Sequence, residues 1–522
     1  MAHRAALAPS SDPFHLTLDH ANALAEGAQQ LAVSADVRAT CQAAHGRLRK
    51  AIAERRHIYG ITTGFGPLAN RLVDPADGVT LQQNLVHHLA TGLGAPFDWV
   101  TARAIVLSRL SSILRGYSGA SEASIDALIR LINSPLAPAM PSRGTVGASG
   151  DLTPLAHMVL AFQGREDFLD QEGARISGPD GLAMLGLAPL DLRDRDGLAL
   201  VNGTSAMTGI AVRNVKAAAL LCDWMVHLTG ALAEVMGARS EAWAPLFGQV
   251  RGHPGQIAAT AVLAKAVEGS ERLQDVPLAA RRLPEGGFGT EDMIGQDAYT
   301  LRCAPQVIGG VMDAVRWHRE VVERELNAVT DNPLFPIDMT VAALHGGNFM
   351  GQQIALASDT LATAVTVLAG LAERQIARLT DERLNGDLPA FLHCGPGGMN
   401  SGFMGAQVTA TATLAEMRSQ GPVSTQSLST NGANQDVVSM GTIAARKAAD
   451  ICHFASEVAS ILALCVSQGI DLRRAKGQGG FSRQALAIHA DVRAVSAPLT
   501  EDRPLSPDIQ AFAAHMRIAG PS

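Results

Sequence analysis

Three proline-free stretches of about thirty residues constrain the fold of this chain more than any other feature. They cover residues 204–236, 351–384 and 442–472, and apolar residues recur in each of them at helical spacing. A helix of about thirty residues is about 45 Å long, whereas the average helix has about 11–12 residues. These lengths therefore predict a long helical bundle whose core extends beyond one chain, and hence a homo-oligomer.

The composition favours helices and argues against one class of partner. Of the 522 residues, 47% are hydrophobic and only 4% are aromatic, which suits close-packed helices better than β-sandwiches rich in aromatic and β-branched residues. The length is enough for two large lobes. Because the net charge is −7 at pH 7, the chain lacks the basic surplus of a nucleic-acid-binding protein, and we expect no nucleic-acid partner.

Neither an export signal nor a membrane segment is evident in the sequence. The first residues, MAHRAALAPSSDPF, lack the apolar core of a signal peptide, and no apolar run approaches the roughly 20 residues that span a bilayer. The six cysteines form no CxxC pair and have no metal-ligand spacing. We therefore expect a cytoplasmic protein with reduced thiols, no metal and no membrane partner.

The character of the chain changes near residue 200. Before it, glycine and proline recur between short helical patterns, and HIYGIT (57–62) could form a short strand. After it, the long helical patterns dominate. We predict a smaller mixed domain over residues 1–200, and a long helical bundle with C-terminal helices over residues 201–522.

The stretch GTVGASGDLT (144–153) surrounds one serine with small residues. A flexible turn would explain it, but a chemical interpretation is also open. If the amide nitrogen of Gly150 attacks the carbonyl carbon of Ala148, loss of one water from that carbon and one from Ser149 leaves an electrophilic methylene on a five-membered ring. Position 150 must then be glycine, because a side chain would crowd the ring. A serine hydrolase does not fit, because the G-x-S-x-G pattern lacks its last glycine here.

Flanking motifs decide between these interpretations. GTVGASGDLTPLAHM (144–158) resembles the signature of the aromatic amino acid ammonia-lyases, in which this tripeptide forms a 4-methylidene-imidazol-5-one (MIO) group. Six further motifs follow the family's order between about residues 55 and 445: YGITTGFG, LVNGTSAM, GQDAYTLRCAPQ, ELNAVTDNPL, HGGNFMGQ and NQDVVSMG. Together they cover most of the chain.

The resemblance implies a fold, an assembly and a prosthetic group. The fold is mainly α, a fumarase/aspartase-like long helical bundle with a smaller mixed N-terminal domain. The assembly is a homotetramer whose active sites combine residues from more than one chain. The prosthetic group is MIO, made autocatalytically from Ala148-Ser149-Gly150, with no metal and no PLP.

The same resemblance implies roles for residues in the matching motifs. Tyr59 is similar to the family's base, which takes the β-proton and lies on a mobile loop that closes over the site. Tyr299 is similar to a second tyrosine near the substrate amine and MIO. Arg302 resembles the arginine that clamps the substrate carboxylate, with Asn332 as its partner. Asn202 resembles the asparagine that hydrogen-bonds the MIO carbonyl oxygen.

Further residues complete the implied pocket. Gln296 stands three residues before Tyr299, so both side chains could face one side of a helical turn. Phe349 resembles an aromatic residue packed beside MIO, with core packing as its alternative. The segment STNGANQDVVS (429–439) adds Asn431, Asn434 and Gln435.

Two positions bear on the substrate. Histidine lyases resemble one another in carrying a glutamate where this chain has Gln435, so the chain departs from their pattern. Phenylalanine lyases typically have a Phe-Leu pair where this chain has His88 and Leu89, which we call the selector pair. A buried phenol needs a partner because an unpaired polar group costs about 1–3 kcal/mol, and the His88 imidazole supplies one. We therefore predict conversion of L-tyrosine to trans-p-coumarate and ammonia, with side activity on L-phenylalanine.

The sequence leaves several alternatives open. A phenylalanine lyase is the nearest, and His88 would then be a core histidine without a selective role. A tyrosine 2,3-aminomutase would use the same prosthetic group to give β-tyrosine, and a histidine lyase is disfavoured by Gln435. A catalytically inactive helical scaffold is the last, and the intact tripeptide and Tyr59 argue against it.

Overall fold

A computed structural model describes residues 14–280, 282 and 295–522, and the described residues are mainly helical. The five strands are short and form an antiparallel pair, β1-β3, and an antiparallel three-stranded sheet of order β2-β4-β5. Their bounds are β1 Leu93–Pro96, β2 Ala137–Pro138, β3 Pro141–Arg143, β4 Phe168–Leu169 and β5 Arg175–Ile176.

Helices before the middle of the chain are mostly short. Their bounds are α1 Leu18–Ala25, α2 Ala35–Ala53, α3 Gly78–Leu89, α4 Trp99–Ile113, α5 Glu122–Ile132, α6 Leu152–Phe162, α7 Gly178–Leu185, α8 Asp196–Val201, α9 Ser205–Met236, α10 Pro245–Arg251 and α11 Pro254–Ala266. The remaining described helices are α12 Tyr299–Arg302, α13 Ala304–Leu326, α14 Gln352–Thr380, α15 Met404–Ser419, α16 Gly441–Ala475, α17 Arg483–Arg493 and α18 Ser506–Ile518.

The three long helices predicted from the sequence are confirmed as α9, α14 and α16, with 32, 29 and 35 residues. A fourth long helix, α13, has 23 residues and was not predicted. Its sequence, APQVIGGVMDAVRWHREVVEREL, is richer in charge than the other three. An amphipathic helix of this kind keeps a polar face that dilutes the apolar pattern.

The same three predicted helices are long and apolar enough, by length and composition alone, to cross a membrane. The expectation that no apolar run approaches that length is therefore wrong. The mean hydropathy over 18 residues stays high in these helices although glycine, serine and threonine are scattered through them. In the structure, the most apolar 18-residue segment of each helix is largely buried inside the protein: 72% of it in α9, 61% in α14 and 72% in α16. Packing within the chain thus accounts for most of this apolar surface.

The chain divides into two compact units, each assembled from three segments. The first unit comprises Met1–Asn214, His318–Asp359 and Pro422–Ala449. The second comprises Val215–Trp317, Thr360–Gly421 and Asp450–Ser522. The whole of segment 1–200 falls in the first unit, together with the later segments that carry the HGGN and NQDVV motifs.

The predicted strand at 57–62 is wrong, because this segment forms turns. The side chains of Thr62 and of the next residue, Thr63, replace the hydrogen bonds of a strand. Thr62 Oγ1 accepts from the Ile58 amide at 2.8 Å, and Thr63 Oγ1 accepts from the Gly60 amide at 3.1 Å. Ile58 and Ile61 enter a buried apolar cluster with Leu48, Ala51 and Phe335. The segment is therefore held against the core by its isoleucines.

Candidate active site

The loop of residues 144–150, here called the Ser149 loop, connects β3 to α6 in a tightly packed conformation. Three of its last four positions have left-handed backbone geometry, with φ of +76° at Gly147, +54° at Ser149 and +78° at Gly150. An ideal Cβ at Gly150 would lie 2.1 Å from the carbonyl oxygen of Gly203. Only glycine fits there, as the chemical interpretation of the tripeptide requires.

Backbone and side-chain bonds hold the loop on both sides. The Asp151 amide donates to the Gly203 carbonyl at 2.7 Å, and Thr145 Oγ1 donates to the Gly150 carbonyl at 3.1 Å. Gly150 also pairs with Gly203 as an isolated parallel bridge. The loop is thus fixed to the segment that joins α8 to α9.

Asp151 anchors the start of α6 from a fully buried position, and the sequence analysis missed it. Its carboxylate accepts from the Met207 amide at 2.8 Å and from the Thr442 hydroxyl. Burial raises the pKa of Asp151 to about 6, against these hydrogen bonds, which lower it. Thr442 is in the first turn of α16 and Met207 in the first turn of α9, so one carboxylate ties three helix starts together.

Two amide side chains contact Ser149, and both belong to the predicted site. Asn202 Nδ2 donates to the Ser149 carbonyl at 3.3 Å, and Gln435 Nε2 donates to the Ser149 hydroxyl at 3.2 Å. Asn202 is buried, and its Oδ1 has no hydrogen-bond partner among the described residues. A strained glycine-flanked serine with amide donors on its carbonyl and hydroxyl fits the donor set that an MIO group would require at this position.

Tyr59 lies on residues 57–66, here called the Tyr59 loop, in the same unit. Its hydroxyl accepts from the Gly66 amide at 2.9 Å, and its own amide donates to Nε2 of His345 at 3.1 Å. Its ring meets Phe65 edge to face, with centroids 6.2 Å apart. The half-buried Tyr59 is therefore held at both its backbone and its phenol oxygen.

The predicted residues of 429–439 flank this loop. Asn431 and Asn434 are exposed, and an ideal Cβ at Gly66 would lie 3.0 Å from Asn431 Nδ2 and 3.9 Å from Asn434 Oδ1. Phe349, also in the first unit, is half-buried. The structure thus brings the 429–439 segment to both the Tyr59 loop and Ser149.

Asn332 sits on a fully buried cluster of charges that the sequence analysis also missed. Its Oδ1 accepts from the Gly346 amide at 2.7 Å. The neighbouring Asp331 accepts from Arg195 at 2.7 Å and from Arg109 at 3.3 Å, and all three of these charged side chains are 0% exposed.

The two arginines of that cluster also hold the backbone of predicted site residues. Arg195 donates to the Asn332 carbonyl at 2.8 Å, and Arg109 donates to the Asn202 carbonyl. Asp331 could have been suspected from the TDNP motif. The arginines gave no signal in the sequence, because an arginine is normally a surface residue.

The selector pair ends α3 and is open to solvent in the single chain. His88 is exposed and Leu89 is half-buried. His88 Nδ1 lies 3.0 Å from the Asn84 carbonyl, which can only accept, so the proton of a neutral ring is on Nδ1 and Nε2 remains an acceptor. The adjacent His87 turns to Arg165 and Gln83 instead, at 2.6 Å from each.

Three predicted residues lie in the second unit. Tyr299 and Arg302 bound the short helix α12, and the Arg302 guanidinium lies 4.7 Å from the Tyr299 ring centroid. Tyr299 is 69% exposed. Gln296 precedes the helix, so the expectation that it shares a helical turn with Tyr299 is wrong. Gln296 and Arg302 line a cavity of about 310 Å³.

Comparison with known proteins shows which family shares this helical fold and serine loop. The family model described as aromatic amino acid lyase matches residues 16–494, so the chain belongs to that family.

Its relatives include several activities. A tyrosine ammonia-lyase of Cereibacter sphaeroides is 58% identical, over 97% of both chains. A histidine ammonia-lyase of Symbiobacterium thermophilum is 39% identical, over 96% of this chain and 94% of the relative. Among solved structures, a tyrosine aminomutase from Streptomyces globisporus has a TM-score of 0.91 at 35% identity, covering 97% of this chain and 96% of that one.

Proposed function

We propose that this protein is a tyrosine ammonia-lyase, which eliminates ammonia from L-tyrosine to give trans-p-coumarate and has side activity on L-phenylalanine. The observation that supports L-tyrosine as the substrate is the 58% identity with a tyrosine ammonia-lyase along nearly the whole chain. The selector pair supports the same substrate independently, because it offers a histidine acceptor beside a leucine.

We further propose that Ala148-Ser149-Gly150 cyclises to MIO. Bond formation between the Gly150 nitrogen and the Ala148 carbonyl carbon, with loss of two waters, needs a compressed loop without a side chain at position 150. The left-handed Ser149 and the close approach of Gly150 to Gly203 support that compression. When present, the group supplies an electrophilic methylene to the substrate.

Asn202 and Gln435 orient the serine-derived position. Asn202 is a buried donor on the Ser149 carbonyl, and such a donor stabilises negative charge that develops on the oxygen during reaction. Gln435 reaches the Ser149 side chain from the other segment of the unit. A neutral amide at that position suits an uncharged aromatic ring.

Tyr59 acts as the base that removes the β-proton. Its phenol oxygen accepts a hydrogen bond from the Gly66 amide, which holds in place the atom that would take the proton. The bond from its backbone to His345 limits how far the loop can move.

Selection of the substrate ring falls to the selector pair. Nε2 of a neutral His88 accepts the phenol hydroxyl of tyrosine, and Leu89 contacts the ring. A site built around that hydrogen bond disfavours phenylalanine, because the acceptor is then buried without a partner.

Arg302 binds the substrate carboxylate. Asn332, Gln296 and Tyr299 contribute to the part of the site that holds the carboxylate and amine. Phe349 packs beside the prosthetic group. We propose a cytoplasmic homotetramer in which residues from more than one chain complete each site. Such an assembly would cover the exposed face of Tyr299.

Incubation of the purified protein with L-tyrosine, L-phenylalanine and L-histidine tests the proposal, with each acrylate product followed by ultraviolet absorbance. We expect p-coumarate to form fastest. Faster cinnamate or urocanate formation would contradict the substrate assignment, and no product from any of the three would contradict the lyase activity.

An aminomutase is the second candidate, because a tyrosine aminomutase superposes on almost the whole chain. Chiral chromatography of the tyrosine reaction separates the two, since a mutase accumulates β-tyrosine and a lyase does not.

A further inference from the structure

The backbone that follows the selector pair is held by one buried histidine. α3 ends at Leu89, and three residues later the Gly92 amide donates to Nε2 of His157 at 3.0 Å. His157 is 7% exposed and lies in the second turn of α6. An ideal Cβ at Gly92 would be 2.9 Å from His157 Nε2 and 2.9 Å from Pro141, so the approach leaves no room for a side chain.

A carboxylate fixes the tautomer that this bond needs. Because a backbone amide can only donate, Nε2 of His157 must be unprotonated, and the proton of the neutral ring is then on Nδ1. Nδ1 lies 2.7 Å from Oε1 of Glu166, which accepts that proton's hydrogen bond. Glu166 and His157 therefore form a directed chain of hydrogen bonds that ends at Gly92.

The same helix begins at the chemical centre. α6 starts at Leu152, two residues after Gly150, so His157 and the Ser149 loop share one rigid element. The strand after Gly92 pairs with the strand before the Ser149 loop, with Leu93 opposite Arg143. The position of Gly92 is therefore fixed relative to the Ser149 loop.

A second contact joins the middle of α3 to the end of α6. Gln83 and Gln163 exchange two side-chain hydrogen bonds, of 3.1 and 2.7 Å. Gln163 caps α6, so α3 is held to α6 on both sides of the selector pair. Of the two contacts, the one through His157 is nearer in sequence to His88 and Leu89.

We propose that His157 and Glu166 are positioning residues for substrate selection. Through Gly92 they set the distance between the selector pair and the Ser149 loop, and so decide whether His88 can meet the hydroxyl of a bound substrate ring. This inference rests on the proposed function, because it assumes that the selector pair discriminates tyrosine from phenylalanine.

The test is the ratio of kcat/KM for L-tyrosine to kcat/KM for L-phenylalanine in the assembled enzyme. His157→Leu keeps the volume and removes both hydrogen bonds. We expect the ratio to fall about tenfold, the loss that one misplaced hydrogen bond of about 1.4 kcal/mol produces. The change should come from a raised KM for tyrosine, with kcat for phenylalanine within about threefold of the parent.

Two further variants test the mechanism. His157→Gln can present an oxygen to Gly92 and an amide proton to Glu166, so it should restore the ratio to within about threefold. Glu166→Leu leaves the histidine in place but frees its tautomer, and should lower the ratio less than His157→Leu does. Glu166 is on the surface side, with 28% of its side chain exposed, and this variant decides the question if His157→Leu does not fold.

His318→Leu is the matched control, since His318 is fully buried on α13 and lies outside these contacts. It should leave the ratio unchanged whatever it does to stability. An unchanged ratio in a folded His157→Leu or Glu166→Leu enzyme would overturn the positioning role. A parent enzyme without preference for tyrosine would instead contradict the proposed function.

Discussion

The Ser149 loop and the selector pair contrast sharply although both belong to the first unit. The loop is fixed by Gly203, by Asp151 and by two amide side chains, with no space for even one added methyl group at Gly150. The selector pair ends a helix, and its histidine bonds only to a carbonyl of its own helix among the contacts described for it. Under the proposed function, the reaction would depend on buried geometry, whereas substrate choice would depend on side chains that can be exchanged without disturbing the core.

The largest expected effect is the loss of activity in Ser149→Ala, which removes the hydroxyl that leaves as water in the proposed cyclisation. We expect activity to fall by about a thousandfold or more, since the electrophile supplies much of the rate acceleration. The melting temperature should stay close to that of the parent, because within the described part of the chain the serine hydroxyl bonds only to Gln435. Ser142→Ala, in β3, is the control and should retain activity. Residual activity above a tenth of the parent would contradict the role of the tripeptide.

Asp331→Asn tests how much the buried charge cluster of Asp331, Arg109 and Arg195 contributes to stability. The change leaves Arg109 and Arg195 buried beside a neutral side chain, and breaking a buried ion pair costs about 3–5 kcal/mol. The denaturant midpoint of the assembled enzyme measures the loss. Asp191→Asn is the control, because Asp191 pairs with Arg193 in solvent, and it should leave the midpoint unchanged. Equal midpoints for the two variants would argue against the importance of the buried cluster.

His88→Phe tests the exchangeable side. It replaces the phenol acceptor with an apolar ring, and we expect the preference for tyrosine over phenylalanine to fall by about 10- to 100-fold. Steady-state kinetics on both amino acids measure this, and the melting temperature should not change. His87→Phe alters the neighbouring exposed histidine, which faces Arg165. If that variant shifts the preference as much as His88→Phe does, the selector assignment is wrong.

The smallest expected effect is a pH dependence that comes from Asp151. Because burial raises its folded pKa to about 6, above the value of about 3.9 in an unfolded chain, the folded state binds the proton more tightly. The contribution of this group to stability is therefore greatest below pH 4 and is lost as pH rises from 4 to 6, at about 1 kcal/mol per pH unit.

Asp151→Asn cannot titrate, so the difference in denaturant midpoint between parent and variant isolates that dependence. The parent should lose stability relative to the variant between pH 4 and pH 6. A difference that stays constant across this window would mean that the carboxyl is not perturbed by its burial.

The sequence was enough for the regular parts of the molecule. α9, α14 and α16 follow their predicted ranges to within a few residues, because thirty residues of apolar periodicity outweigh local exceptions. Family membership is likewise confirmed, since it rests on ordered motifs over most of the chain. The roles given to individual site residues stay predictions.

What the sequence could not supply is long-range geometry. The turns at 57–62 depend on threonine hydroxyls that replace strand pairing. Arg109 on α4 and Arg195 just before α8 show their shared role only where Asp331 reaches them from another part of the chain. Gln296 was placed on a helical turn by spacing alone, but α12 starts only at Tyr299. Each of these differences comes from partners distant in sequence or from a helix boundary.

The contacts of the Ser149 loop also set an order of events during synthesis. Gly203 lies 53 residues beyond Gly150, and Gln435 and Thr442 come from near the other end of the chain. A nascent polypeptide that has just delivered its Gly150 from the ribosome has none of these partners. If the proposed cyclisation needs these contacts, it can take place only after residue 442 has emerged and docked, and a chain truncated before that point would remain uncyclised.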